Sequence, residues 1–379
     1  MNMVKKIGIV GVGNRLRSLI EIIEKNNMSD FIYYIYDPEM NAINNFREKM
    51  SEEKVVICES YEEILENVDI EWVMVGSLNS LHREQIIKAF KAGKNVFAEK
   101  PLAISLEELM KIKKVFLENE GLKFLISYPL RHSMFYNKIK DIVDSGKIGK
   151  VVSMEFNEVL KFTHGAFIMS DWRRYENLSG GHLLEKCCHD IDLVNWILKS
   201  LPKRVSSFGG KNIFTEKNSS IFEDVKNREE YLEKLKKVKM NPYVSEKDIV
   251  DNQVSIVEYE NGARSMFHTN CCSGIPERRM YICGTKGTIR ADVLLGKMEI
   301  KALVDDEIEV IIDEQSKGGH GGGDLFLMKE FVSVVMGEKS SDVYLDDAIK
   351  SAVSAIMIDE ARKENKVIDL TEIWKSFNY

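Results

Sequence analysis

The chain has 379 residues, of which 44% are hydrophobic and 30% are charged, and its formal net charge is −7. This length predicts two domains with ample apolar material for burial, and the negative charge argues against nucleic acid or an acidic membrane as a partner. The sequence has no run of about 18 apolar residues, the length that a membrane span requires, and its first residues lack the apolar region of a signal peptide. We therefore expect a cytoplasmic location.

Strands and helices alternate over the first third of the chain. The predicted strands are Lys6–Val10, Phe31–Tyr36, Val55–Cys58, Trp72–Gly76, Asn95–Ala98 and Phe124–Ser127. The predicted helices between them are Arg15–Asn26, Pro38–Met50, Tyr61–Glu66, Ser80–Ala92 and one that Ser105 caps. Such alternation is typical of a parallel sheet covered on both faces. The sequence thus predicts an α/β nucleotide-binding domain at residues 1–126.

After residue 127 the pattern changes. The predicted helices are Phe135–Ser145 and Gly181–Ser200, and the predicted strands are Val151–Leu160, Gln253–Glu260, Ala263–Asn270, Met280–Cys283, Thr288–Val293 and Glu307–Ile312. A charged segment at 216–240 predicts an inserted amphipathic helix, and a glycine-rich loop at 318–323 precedes the closing helices. We expect a second α/β domain at residues 127–379, built on a mostly antiparallel open sheet.

The six cysteines do not indicate a disulfide scaffold in so long a chain. The two adjacent pairs, at 187–188 and 271–272, lack the C-x₂₋₄-C spacing of structural zinc sites. We expect free, buried thiols.

A glycine-rich turn connects the first strand to the first helix. Gly11 and Gly13 allow a tight turn, at which the N–H groups of a helix start can approach a pyrophosphate; the helix opens with Asn14 and Arg15. Leu16 occupies the third position of the G-x-G-x-x-G pattern, so we expect helix and strand to pack less closely there. Asp37 ends the next strand, where a carboxylate accepts the ribose 2′-hydroxyl and repels a 2′-phosphate. The turn predicts NAD rather than NADP; the alternative is a plain βαβ turn in which Asp37 caps the next helix.

Glu99-Lys100-Pro101 follows the fifth strand, at the edge where open parallel sheets carry their ligands. This tripeptide resembles a motif of the Gfo/Idh/MocA family, the group of glucose–fructose oxidoreductase and inositol dehydrogenase. Four further segments also resemble this family: Gly-Ser-Leu-Asn-Ser-Leu-His at 76–82, Asp-Trp-Arg at 171–173, the block at 180–192 and the closing glycine loop. The resemblance covers nearly the whole chain, apart from the charged insertion.

The resemblance implies that Lys100 works at the reacting carbon, because a lysine amine can donate to a substrate oxygen and stabilise developing negative charge. The alternative is a solvent-facing lysine in a turn. The following proline can hold a cis bond. The resemblance also implies cofactor contacts from Ser77, Asn79, His82, Glu99, Trp172 and Arg173, and a homodimer or homotetramer formed through the C-terminal sheet.

The block at 180–192 resembles the family's Gly-Gly…Asp-x-x-x-His-x-x-Asp helix. Its spacing puts His182, Glu185, His189 and Asp192 on one stripe. The resemblance implies proton transfer by His189, whose type suits this role, catalysis assisted by Glu185 in place of the family's Asp, and a substrate contact from His182. The stripe could instead simply face water. Zinc on these side chains is conceivable, but the neighbouring thiols should project to the opposite face, and we predict no metal.

Two further residues are candidates for substrate binding. Arg131 lies where the family's chain leaves the nucleotide domain, and it could equally be a structural contact between domains, as could Trp172 and Arg173. His320 lies in the glycine-rich loop, which either wraps a substrate hydroxyl or forms a flexible entrance to a helix that Asp324 caps.

The resemblance implies an NAD-dependent dehydrogenase that acts on a secondary hydroxyl of a sugar, glycoside or cyclic polyol. One alternative is a redox-neutral enzyme that retains NAD and cleaves a glycosidic bond through a transient keto-sugar. The other is a non-catalytic NAD-binding sensor. The presence of both Lys100 and His189 argues against a sensor, since a pure binder has no need of the pair.

Overall fold

The computed structural model describes residues 4–236, 238–316, 320–339 and 345–379. Its first part alternates strands and helices in this order: β1 Lys6–Val10, α1 Asn14–Lys25, β2 Ile32–Tyr36, α2 Met40–Arg47, β3 Val55–Ile57, α3 Tyr61–Glu66, β4 Ile70–Val75, α4 Asn79–Lys91, β5 Asn95–Ala98, α5 Leu106–Leu117 and β6 Phe124–Ile126. Each of these elements was predicted, and the differences lie at their ends.

The chain continues with α6 Met134–Asp144, β7 Val151–Lys161, α7 Phe162–Ile168, α8 Glu176–Ser179, α9 His182–Leu198, β8 Pro202–Gly210, α10 Ser220–Lys226, α11 Glu229–Leu235 and β9 Asn252–Tyr259. It closes with β10 Arg264–Ser273, β11 Arg279–Gly284, β12 Gly287–Asp292, β13 Lys297–Ala302, β14 Glu309–Ile312, α12 Gly323–Val335, α13 Leu345–Lys363, β15 Ile368–Asp369 and α14 Thr371–Ser376. No helix in the described ranges is long and apolar enough to cross a bilayer.

The chain forms two compact units, Met1–His132 with Gly323–Ile349 and Ser133–Gly322 with Lys350–Tyr379. The first unit therefore takes in α12, which a boundary at residue 126 assigns to the second domain. The physical reason is apolar packing: the Phe331 ring of α12 lies 5.6 Å from the Trp72 ring and 5.1 Å from the Phe97 ring, centroid to centroid. Local patterning does not reveal such a return of the chain.

The sheet of the first unit has the order β3-β2-β1-β4-β5-β6, and all its strand pairs are parallel. The sequence order reverses between β1 and β4. Loops that leave the carboxyl ends of these two strands go to opposite sides, which opens a crevice at this edge. This sheet confirms the predicted α/β nucleotide-binding fold.

The sheet of the second unit has nine strands in the order β14-β13-β12-β11-β7-β10-β9-β8-β15. Among the strands of the described residues in this sheet, only β7 and β10 pair in parallel, so the predicted mostly antiparallel sheet is confirmed. Three of its strands were not predicted: β8, β13 and β15. Of these, β8 begins with a proline and ends with two glycines, residues that usually weaken a strand assignment.

The charged insertion forms two short helices, α10 and α11, rather than the single helix predicted. Its half-buried apolar side chains pack on a cluster that includes Phe162, Phe214 and Tyr243. Where the segment begins, the fully buried Asp251 carboxylate accepts hydrogen bonds from three backbone N–H groups, those of Asn212, Ile213 and Phe214, at 2.8–3.0 Å. The insertion is therefore packed onto the second unit and fastened at its start.

Four charged side chains are buried together beside α9. Lys186 Nζ lies 2.7 Å from Glu158 Oε1, Arg278 Nε lies 2.7 Å from Glu158 Oε2, and Arg278 Nη2 lies 2.8 Å from Asp190 Oδ2. None of the four residues is more than 8% exposed. Burial alone would raise the pKa of Glu158, but Arg278 and Lys186 outweigh it and lower this pKa to about 2. Burial raises the pKa of Asp190 to about 7, although Arg278 opposes this shift. When all four groups are ionised their charges cancel, and their contacts hold α9 against β7 and the segment before β11.

Replacing Arg278 by Met should destabilise the protein strongly. The substitution leaves Lys186 to face two buried carboxylates, and breaking a buried ion pair typically costs about 3–5 kcal/mol. Urea unfolding measures the decrease in the free energy of unfolding. The matched control is Arg47→Met, since Arg47 is exposed and its pair with Glu52 lies at the surface, where such pairs contribute about 0–1 kcal/mol. Equal losses in the two variants would contradict this account of the four charges.

Candidate functional site

The candidate residues of the first unit gather at the carboxyl edge of its sheet. Backbone hydrogen bonds fasten the segments that leave this edge: Gly11 N to Tyr36 O at 2.9 Å, Gly76 N to Val10 O at 2.9 Å, Glu99 N to Val75 O at 2.8 Å, and Ser127 N to Ala98 O at 2.9 Å. The glycine turn, the loop after β4 and the Glu-Lys-Pro segment therefore lie along one edge, as predicted for a ligand site.

The glycine turn forms a cradle at the start of α1. Gly11 has φ +82°, and a Cβ there would lie 2.4 Å from Ser77 N, so only glycine fits. Gly13 precedes α1 directly, and apart from its two chain neighbours the nearest atom that a Cβ there would meet in the described residues is Gly76 O, at 4.0 Å. Among the described residues no side chain caps this helix start, and its first turn has no acidic residue. Free space beside uncapped N–H groups fits the pyrophosphate of a dinucleotide.

Leu16 packs closely in the turn, contrary to the expectation from its place in the glycine pattern. Its side chain is fully buried. It lies against Gly76 across the sheet, where an added Cβ would come 2.4 Å from Leu16 Cδ1. The space that a third glycine usually provides is supplied here by Gly76 instead.

Asp37 binds the chain's own backbone with both carboxylate oxygens. Val12 N donates to Oδ2 at 2.9 Å, and Glu39 N donates to Oδ1 at 2.9 Å. Each carboxylate oxygen has a second lone pair, so the group can still accept a hydrogen bond from a ribose hydroxyl. Asp37 therefore fits the predicted contact and also holds the glycine turn in place.

Arg15 and Glu99, both expected at the cofactor, pair with each other. Arg15 Nε donates to Glu99 Oε1 at 3.2 Å, and its two terminal nitrogens bind Asp324 at 2.7 and 3.0 Å. Burial raises the pKa of Glu99, and Arg15 opposes that shift. Asp324, predicted as a helix cap, is instead the second residue of α12 and ties this helix to the glycine turn. A cofactor contact of Arg15 or Glu99 stays a prediction.

Lys100 lies just beyond β5, half-buried, and the Lys100–Pro101 peptide bond is cis. Ser77 in the adjacent loop donates its hydroxyl to Gln85 Oε1 at 2.6 Å. His82 is buried, and its ring nitrogens face the carbonyl oxygens of Pro101 and Ser77. Asn79 is buried at the start of α4. His82 thus serves the backbone of the two loops, and its direct contact with a cofactor stays a prediction.

Arg131 is used within the first unit. Its Nη1 donates to Asp347 Oδ2 at 2.8 Å, which fastens the short turn at 129–132 to α13. The side chain is 11% exposed. This is a structural contact within one unit rather than the contact between domains that was the alternative for Arg131, and the substrate contact stays a prediction.

The polar stripe of α9 is buried. His182, Glu185, His189 and Asp192 are 2%, 7%, 2% and 1% exposed. A stripe that simply faces water is therefore excluded. Burying this many polar side chains is costly unless each finds polar partners, so their surroundings decide what the stripe can do.

His182 faces β10. Its Nε2 lies 3.0 Å from Thr269 Oγ1, and Cys271 Sγ lies 3.6 Å from its Nδ1. Cys187 Sγ reaches the same threonine at 3.5 Å, so a thiol shares the face of His182, contrary to expectation. Burial lowers the pKa of His182 to about 4. The predicted substrate contact of His182 stays a prediction.

All six cysteines are free thiols. Four are buried, and Cys272 and Cys283 are half-buried. Burial raises the pKa of the Cys187 and Cys271 thiols well above its usual range, which keeps them protonated. Within the described ranges, no three His, Cys, Asp or Glu side chains are arranged to hold a metal ion.

Glu185 forms an ion pair with Arg173. Arg173 Nε donates to Glu185 Oε1 at 2.9 Å, and Arg173 Nη1 donates to Asp171 Oδ1 at 2.9 Å. The guanidinium also lies over the ring of Trp172, 4.3 Å from its centroid. The Asp-Trp-Arg segment therefore fixes the carboxylate of Glu185, and the predicted cofactor contacts of Trp172 and Arg173 stay predictions.

His189 and His320, predicted separately, meet within the second unit. Their ring centroids are 5.7 Å apart and the rings are nearly perpendicular. His189 Nε2 lies 3.5 Å from Asp190 Oδ2, which connects this pair to the four buried charges. A histidine beside a second ring and a carboxylate is well placed for proton transfer. The glycine loop at 318–323 falls partly outside the described residues, but His320 and Gly321–Gly323 are described.

Sequence comparison identifies both halves of the chain. Residues 5–126 match the oxidoreductase family described by its NAD-binding Rossmann fold, and residues 140–370 match the C-terminal alpha/beta domain of the same Gfo/Idh/MocA oxidoreductase family.

Individual relatives are distant and cover most of the chain. The 2,7-anhydro-N-acetylneuraminate hydratase of Escherichia coli (strain K12) is 24% identical over 97% of this chain and 98% of its own length. The myo-inositol 2-dehydrogenase of Thermotoga maritima is 24% identical over 76% of this chain and 75% of its own length. A levoglucosan dehydrogenase, solved in complex with NADH and levoglucosan, superposes with a TM-score of 0.77 at 16% identity, over 97% of this chain and 100% of that chain.

Proposed function

The chain belongs to the Gfo/Idh/MocA oxidoreductase family, and we propose that it is an NAD-dependent dehydrogenase of a sugar, glycoside or cyclic polyol. The main support for this proposal is that several candidate groups lie together at the carboxyl edge of the first sheet. The cradle at Gly11 and Gly13, the carboxylate of Asp37 and the amine of Lys100 all belong to segments that leave this edge. This edge combines a dinucleotide site with a group that acts on a substrate oxygen.

The chemistry divides between the carbon and the oxygen of a secondary alcohol. When bound at the glycine turn, NAD would supply the acceptor for the hydride that leaves the carbon. Lys100 donates a hydrogen bond to the oxygen and stabilises its developing negative charge. His189 accepts the hydroxyl proton, so that a ketone and a proton are the other products. Glu185 assists through its place on the same helix face, where Arg173 orients it.

Two observations support the proposed substrate class: the named activities of the relatives and the polar side chains at and near α9. The relatives act, by their names, on inositol, levoglucosan and an anhydro-sugar acid. We extend to this chain the class of cyclic compounds rich in secondary hydroxyls. His189 and His320, close together in the second unit, are the side chains that we propose to meet such hydroxyls.

A redox-neutral reaction is the second candidate. A hydratase matches nearly the whole chain, and its activity by name is not a net oxidation. In this version NAD is retained, and a transient keto-sugar allows a bond at the neighbouring carbon to be eliminated. Incubation with myo-inositol, levoglucosan and a set of glycosides separates the two, because only a dehydrogenase accumulates NADH.

We also propose that the chain self-associates through the open face of the second sheet. Phe208, Val254, Ile256, Met266 and Tyr281 are 37–68% exposed on strands β8 to β11. Register pairs Phe208 with Val254 and Ile256 with Met266 across adjacent strands. Four of these side chains lie on the neighbouring strands β8, β9 and β10, whereas Glu155 of β7 stands between Met266 and Tyr281. Exposed apolar patches usually mark an interface, and a second copy of the same face buries them symmetrically.

The unmodified protein should bind NADH more tightly than NADPH, because Asp37 meets a 2′-phosphate with like charge. Asp37→Asn keeps an oxygen that can accept a hydrogen bond from Val12 N, but it removes the negative charge. The ratio of the NADPH dissociation constant to the NADH dissociation constant should therefore fall by about tenfold or more. Asp37→Ala removes both the oxygen and the charge and should weaken the binding of either cofactor. Fluorescence titration with NADH and NADPH measures the dissociation constants. Tighter NADPH binding by the unmodified protein would overturn the role given to Asp37.

Ile256→Glu should convert the protein to a monomer, because it places a charge in the proposed apolar interface. The matched control is Val68→Glu, on a residue that is 88% exposed in the first unit. Light scattering at micromolar concentration measures the mass. A monomeric unmodified protein would remove this proposal and leave the catalytic one intact.

Lys100→Ala and His189→Ala should each lower single-turnover NAD reduction by about 10²–10⁴-fold, the usual contribution of such groups. The dissociation constant of NADH should not change, because the glycine turn and Asp37 hold the other end of the cofactor. The double variant should be little worse than the poorer single one, since groups that act as a unit are not additive.

Two lysine variants sharpen this test. Lys100→Arg should have turnover as low as that of Lys100→Ala, because a guanidinium has a different shape and does not give up its proton. Lys91→Ala, on the exposed side of α4, should keep full turnover. Near-normal turnover in Lys100→Ala or His189→Ala, with cofactor still bound, would show that the residue is structural.

A further inference from the structure

His82 connects the two loops that leave β4 and β5. It lies on the first turn of α4 and is 1% exposed. Its Nδ1 is 2.7 Å from Pro101 O, and its Nε2 is 3.3 Å from Ser77 O. Both partners are backbone carbonyls, so neither can donate a hydrogen bond to the ring.

The two contacts are not equivalent. A neutral imidazole carries a single N–H. Burial lowers the pKa of His82 despite the two carbonyl contacts, and the charge of Lys100 lowers it further, which favours the neutral ring. The shorter contact is the one that requires a hydrogen, because an unprotonated nitrogen 2.7 Å from a carbonyl oxygen would be repelled. The N–H is therefore on Nδ1, and it donates to Pro101 O.

This hydrogen bond holds the backbone just after Lys100. The residue before Lys100 is fastened by Glu99 N, which donates to Val75 O at 2.8 Å. On the other side Pro101 has no N–H to offer, so its carbonyl is the group through which the segment can be held. Lys100 thus extends from a short stretch that is anchored before it by β4 and after it by His82.

We propose that His82 is a positioning residue for Lys100, acting through the hydrogen bond from its Nδ1 to the carbonyl of Pro101. The inference rests on the proposed role of Lys100. It also assigns His82 a role other than the direct cofactor contact that the motif suggests. Misplacement of a reacting group by about 1 Å can cost about 10²-fold in rate, so the loss of this bond should lower turnover with little effect on cofactor binding.

Two amide variants separate this hydrogen bond from the contact between Nε2 and Ser77 O. The side-chain nitrogen of Asn falls near the place of Nδ1, and that of Gln falls near the place of Nε2. His82→Asn should therefore keep the bond to Pro101 and most of the turnover. His82→Gln should reach Ser77 O instead and lose about 10²-fold in kcat, with KM and the NADH dissociation constant unchanged. Thermal unfolding checks that both variants fold.

A second measurement does not depend on turnover. Lysines are reductively methylated with ¹³C, and the signal of Lys100 is assigned by its loss in Lys100→Ala. Relative to the protein with His82, the chemical shift of this signal should change in His82→Gln and should be unchanged in His82→Asn. If it does so while Lys100→Ala keeps its turnover, His82 still positions Lys100 and the proposed function fails.

Three results would overturn the inference. One is equal turnover in the Asn and Gln variants when both are folded. Another is a Lys100 signal that neither variant moves. The third is a weakened NADH affinity with unchanged kcat, which would make His82 a cofactor contact instead.

Discussion

The parallel pairing of β1 with β4 is the constraint on which the first site depends. Register places Val10 opposite Val75, and Gly76 N donates to Val10 O, so the two strands end together. The loops that follow then approach so closely that Gly11 has no room for a side chain beside Ser77. Because the next strand, β5, ends at the same edge, the glycine turn and Lys100, to which we assign cofactor and substrate roles as a proposal, lie along one edge of the sheet.

The second unit buries charged side chains around α9, and it does so by pairing them with one another. Lys186 and Asp190 share α9 with the candidate catalytic His189, and Glu158 and Arg278 neutralise them from neighbouring elements. Such buried pairs contribute little net stability compared with apolar packing, but they strongly disfavour any arrangement that leaves one charge alone. We infer that the four charges fix the rotation of α9 and with it the direction of His189.

Most of the candidate residues have a second task in the protein itself. Asp37 holds the glycine turn, Arg15 ties α1 to α12, and Arg173 orients Glu185. A group that both binds a ligand and supports the backbone is already in place before the ligand arrives, which reduces the entropy lost on binding. These internal contacts also explain why a motif alone does not reveal what each residue touches.

The sequence by itself determined the strand–helix alternation, the glycine turn and the alternating strands of the second sheet, because these follow from local periodicity and backbone sterics. Only the tertiary structure decided the partners of the charged residues. Arg15 and Asp324 are 309 positions apart, and no local pattern links them. The return of α12 to the first unit and the burial of α9 on all sides were also beyond local patterning, since both depend on packing between segments distant in the chain.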